Sequence, residues 1–149
     1  MSYNNERHKE LVRNYLEVMN QERVHEYNGS KEHLELLEYN ILVEKQVFWT
    51  HYEEFLHIMK NFLDNISNFD EFETAFTLLF DKTLDEVTMI NRDVEKIEKF
   101  QPRTLEVDWF SGSIIYIFRQ FEAVDDEYIT KQELKDCVEK TYLEIRSVL

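Results

Sequence analysis

The chain has 149 residues, 43% of them hydrophobic, and 31 Asp and Glu against 17 Lys and Arg give it a formal net charge of -14. That length and apolar content suffice for one domain with a buried core and exclude a disordered polyanion. Two glycines and one proline are too few for the tight turns of a β-sandwich or an α/β sheet, so a few long helices with short connections are expected.

A single cysteine, Cys137, excludes an intramolecular disulfide and a Cys-based zinc site, and leaves that residue as a small core side chain. Ser2 to Glu10 is polar and charged, unlike a signal peptide, and no apolar run approaches the roughly 20 residues that span a bilayer. A soluble, intracellular protein is expected. The acidic balance repels nucleic-acid phosphates and anionic lipid, and attracts basic surfaces, including those that hold nucleic acid. It also serves plain solubility.

In chain order, the first helix is expected from about Asn5 to Tyr27, with Leu11, Tyr15, Val18 and Met19 at helical spacing. Asn28-Gly29 stops it. Ser30 then caps a second helix, with Glu32 in its first turn. Leu34, Leu37, Ile41, Phe48, Tyr52, Phe55, Met59 and Phe62 mark its face to about Asn65. That is long for a globular helix, so a kink is expected between Glu44 and Thr50.

After a turn at Asn65 to Asn68, a helix opens at Ser67 or Asn68, each with an acid three residues on (Asp70 or Glu71); Asn68 and Glu71 resemble a capping box, and Phe69, Phe72, Phe76, Leu79 and Phe80 face inward. Thr83 with Glu86 either opens a fourth helix or lies within the third. The stripe Leu84, Val87, Ile90, Val94, Ile97 and Phe100 runs to the loop at Pro102. A helix from about Asp108 carries Trp109, Phe110, Ile114, Ile117, Phe118 and Phe121. Its Gly112 suggests a closely approaching neighbour. The last helix runs from Thr130 to about Ser147, with Leu134, Val138, Tyr142 and Ile145 inward. The fold expected is an all-α, antiparallel helical bundle of five or six helices. Residues 1–66 would form a two-helix extension and residues 67–149 the remaining bundle, within one compact domain.

Few residue patterns point to catalysis. Glu22/His25 and Glu54/His57 repeat the Glu-x-x-His spacing of di-iron bundles, but two further inward Glu residues are not placed by the pattern. A calcium loop ending at Glu133 would put Val124 at its third ligand position, and valine cannot ligate calcium. His51 and His57 have no serine or cysteine placed beside them for a nucleophilic triad, and there is no phosphate-binding glycine loop. No catalytic residue, metal or cofactor is assigned. The remaining lead is charge. Glu122, Asp125, Asp126 and Glu127 cluster at one inter-helix hinge, and Glu133 and Asp136 follow on the next helix. Held by two helices, such a ridge can imitate phosphate spacing and occupy a basic groove.

Several stretches carry a resemblance to a known family. They are Phe62 to Phe72, Leu78-Leu79-Phe80, Ile117 to Glu122 and Tyr128 to Leu134. In order and spacing they resemble the four-helix layout of the colicin D immunity family, over roughly the last 90 residues. Members of that family bind and block a tRNA-cleaving toxin domain. The resemblance implies a non-enzymatic inhibitor of a basic, nucleic-acid-handling protein. It implies partner contacts at Glu122 and Asp125, with Asp126 and Glu127 added by proximity; Glu133 and Asp136 join the expected contact surface from the charge pattern alone. The chain also looks similar to small open reading frames of algal plastid genomes, which would place it in a plastid stroma rather than a bacterial cytoplasm. The alternatives are a di-metal or small-ligand bundle built on the Glu-x-x-His pairs, or a helical assembly subunit using the long second helix.

Overall fold

A computed structural model describes residues 2–149. Among them are eight helices and no strand: α1 (Asn5–Asn20), α2 (Val24–Tyr27), α3 (Lys31–Thr50), α4 (Tyr52–Leu63), α5 (Phe69–Arg92), α6 (Val94–Lys99), α7 (Phe110–Asp125) and α8 (Lys131–Ser147). The class is all-α, as the scarcity of glycine and proline requires.

The helix count exceeds five or six because three expected helices are interrupted. Between α1 and α2, Glu22 adopts φ 56 and the amide of Arg23 turns back to the Val18 carbonyl, which closes α1 early. The expected kink in the second helix is a full break at His51, between α3 and α4. Asp93 breaks the stripe from Leu84 to Phe100, because its side chain accepts from the Glu95 amide and caps α6. Thr83 starts no new helix. Its hydroxyl is buried and donates to the Leu79 carbonyl at 2.7 Å, inside a continuous α5.

The chain forms two compact units. One comprises the chain up to Gln46 with Leu84–Arg103, the other Val47–Thr83 with Thr104–Leu149. This differs from a division at residues 66 and 67, because α3 and α5 each contribute to both units. A long helix can give one end to each core, and that non-local choice leaves no mark in local periodicity.

The first unit has a small core of Leu11, Val12, Leu36, Tyr39 and Ile97, with Tyr3, Tyr15, Ile90 and Val94 packed against it. Asn5 donates its side-chain amide to the carbonyls of Ile97 and Phe100 at 2.8 and 2.7 Å, satisfying the open end of α6. Arg7 holds Glu35 through two parallel hydrogen bonds of 2.8 Å, joining α1 to α3. In α3 the buried stripe is Leu36, Tyr39 and Val43. The expected Leu34, Leu37 and Ile41 are exposed instead. Both stripes have helical spacing. The buried one places Tyr39 against the rings of Tyr3 and His8.

The second unit has an aromatic core. Phe48, Phe55, Phe72, Phe76 and Phe110 are fully buried, with Met59, Ile114, Ile117, Leu134 and Ile145. Phe62 stacks on Phe72 at 4.2 Å and Phe80 on Phe118 at 4.0 Å. Trp109 stays partly exposed ahead of α7. Gly112 is exposed, and nothing lies where a Cβ would point, so the expected close approach is absent. Cys137 is half-buried and burial pushes its thiol pKa up.

Candidate functional site

Four helix ends meet at one end of the second unit. α7 finishes at Asp125, and the backbone then reverses through Glu127 at φ 61. The Tyr128 amide donates to the Ala123 carbonyl at 2.9 Å and the Glu127 amide to Val124 at 3.0 Å, the pair of bonds that defines a Schellman cap. α4 ends the same way. Asn65 sits at φ 59, and the Ile66 amide donates to the Asn61 carbonyl at 2.8 Å. Both following helices open with reciprocal caps. Thr130 and Glu133 exchange bonds of 3.0 and 3.2 Å ahead of α8, and Asn68 and Glu71 exchange bonds of 2.8 and 3.0 Å ahead of α5. Lys135 on α8 donates to the Asn65 side chain and lies 5.0 Å from the Phe62 ring. Lys131 lies 4.9 Å from the Phe69 ring, and Phe69 meets Phe121 at 6.2 Å.

A left-handed backbone normally selects glycine, because a Cβ there crowds the carbonyl. Replacing Glu127 by Gly is expected to raise stability by about 0.5–1 kcal/mol, read from the urea midpoint.

The six acidic residues expected at the site separate into two groups. Glu122, Asp125, Asp126 and Glu127 are exposed, and no ion pair among the described residues involves them. Glu133 gives an oxygen to the α8 cap, and Asp136 accepts from the Gln132 amide at 2.9 Å. The fold adds two carboxylates that the linear pattern missed, Asp70 and Glu73 in the first turns of α5. The Glu73 carboxyl is pushed above its usual range, first by burial and then by the charges of Asp125 and Asp70, with Lys131 opposing. One of its oxygens is closed off without a hydrogen-bond partner. Carboxylates from α5 and α7 are thus near enough to act on one another's charge, with Lys131 in reach of the same group. Asp70 and Glu73 lie more than fifty residues from Asp125, so only folding brings them together.

The Glu-x-x-His pairs do not assemble. Glu22 lies beyond α1 in the left-handed conformation. The Glu54 carboxylate contacts the His51 Nδ1 at 3.0 Å, and His57 faces the Asn61 amide at 3.3 Å. Among the described residues no group of three His, Cys, Asp or Glu is placed to hold a metal ion, and no helix is long and apolar enough to cross a membrane. Comparison with protein-family models, with curated proteins and with solved structures found no match.

Proposed function

We propose that this chain is a non-enzymatic binding protein that inhibits or regulates a basic, nucleic-acid-handling partner, as its resemblance to the colicin D immunity family implies. The supporting observation is the crowding of Asp70, Glu73 and Asp125, with Glu122, Asp126 and Glu127 exposed beside them and unpaired. Like charges held close are unfavourable in the free protein. A cationic groove relieves that repulsion when it covers them, and the surrounding field speeds the encounter. In this reading the protein works in a bacterial cytoplasm or a plastid stroma, where such a partner meets tRNA.

The test is inhibition of tRNA cleavage by a colicin D-type nuclease domain. The wild-type chain is expected to inhibit, with affinity falling steeply as salt rises. The combined change Glu122→Gln, Asp125→Asn and Asp126→Asn is expected to abolish inhibition while leaving the helical circular dichroism intact. Inhibition retained by the triple variant, or insensitive to salt, would sink the reading.

A further inference from the structure

Of the exposed apolar side chains among the described residues, Ile66 and Tyr128 are the most open, at 70% and 81%. Exposed apolar residues scattered singly need no explanation. These two are not independent. Each follows the left-handed residue of a Schellman cap, one ending α4 and the other α7. Both caps lie at the same end of the second unit, because Lys135 bonds Asn65 and Phe69 meets Phe121.

In a Schellman cap the residue at this position usually packs back on the helix, three or four places before the cap. Here those places hold Asn61 and Lys60 in α4, and Ala123 and Glu122 in α7. The helices offer almost no apolar cover, so the two side chains project into water. Their backbones are nonetheless fixed, by bonds of 2.8 and 2.9 Å. Both therefore lose little conformational freedom when something covers them. Close to them along the chain stand the exposed carboxylates of Asp70, Glu122, Asp125, Asp126 and Glu127, and Lys131 and Lys135 share this end of the unit.

We propose that Ile66 and Tyr128 are apolar anchors that insert into a basic protein partner whose cleft has apolar pockets between its cations. The occupant is cationic because the five exposed carboxylates outnumber Lys131 and Lys135, so the rim stays net anionic. A second copy of this chain, carrying the same charge of -14, would be repelled. The assignment rests on the acidic-surface reading above and adds a division of labour. The carboxylates set the association rate, and the anchors set the dissociation rate.

The experiment uses the full chain and two synthetic peptides of equal length and charge, one of Lys and Leu, one of Lys and Ser, followed by stopped-flow mixing at low salt. The Lys-Leu peptide is expected to dissociate at least about tenfold more slowly than the Lys-Ser peptide. The double change Ile66→Ser and Tyr128→Ser should bring its dissociation to the Lys-Ser level with association unchanged. Leu37→Ser, on the exposed stripe of α3, should leave it as in the wild type. Equal dissociation of both peptides, or a double variant that behaves as wild type, overturns the anchors while the acidic reading stands. Failure of both peptides to bind removes the two proposals together.

Discussion

Phe72→Ala is expected to lower stability by about 3–5 kcal/mol, the loss typical of a large aromatic removed from a core that cannot collapse around the space. Phe72 is fully buried in α5. It stacks on Phe62 of α4 at 4.2 Å with ring planes 7° apart, and meets Phe76 and Phe121 at 5.6 Å. Phe62 stands one turn before the cap that carries Ile66, and Phe121 one turn before Asp125. A cavity at Phe72 therefore loosens both caps from beneath. Trp49 and Trp109 are the two tryptophans and both lie in the second unit, so their fluorescence follows its unfolding in urea. Partner binding should weaken with stability, although Phe72 is nowhere near the surface. Neutralising Glu122, Asp125 and Asp126 predicts the reverse pairing, binding lost and stability kept. A Phe72→Ala variant as stable as wild type would show that the Phe62 stack carries little of the packing energy.

What the sequence makes legible follows from the range of the physics involved. Caps are local: Asn68 with Glu71, Thr130 with Glu133, and Ser30 ahead of α3 each satisfy amides within three residues, and their residue types announce them. The all-α class is likewise set by composition. The facing of α3 is not local. Leu34, Leu37 and Ile41 have the same spacing as Leu36, Tyr39 and Val43, and the choice between them depends on Tyr3 and His8, far away in the chain. The end of α1 was hidden for another reason. Glu22 has no intrinsic preference for a left-handed turn, so no residue type marks the break. The candidate acidic surface was half legible. Glu122 to Glu127 is a run in the sequence, whereas Asp70 and Glu73 come near Asp125 through folding, with Phe69 packed on Phe121.

Acidification from pH 7 to pH 5 is expected to cost the protein about 2 kcal/mol through His8 alone, and about 3 kcal/mol by pH 4. His8 is fully buried in the first unit. Its ring stacks on Tyr39 at 5.0 Å, and its Nδ1 lies 2.8 Å from the Tyr3 hydroxyl. Its Nε2 has no partner. Burial lowers its pKa from 6.5 to about 4. At pH 7 the imidazole is neutral in both folded and unfolded chains. Below pH 6.5 the unfolded chain takes up a proton that the folded chain refuses until about pH 4. Stability is therefore full above pH 6.5 and falls across that window. Other groups act elsewhere or in the opposite sense. Burial raises the Glu44 and Glu73 carboxyls, and these favour the fold as they protonate. The Arg7 bonds hold Glu35 low, and Lys9 holds Glu6 low, so those two matter only in stronger acid. The check is the urea midpoint at pH 7 and pH 5 for the wild type and for His8→Phe. Phenylalanine keeps the stack on Tyr39 and carries no titrating group. The variant should lose about 2 kcal/mol less than the wild type over this interval, and an equal loss in both would show that His8 is not the group being titrated.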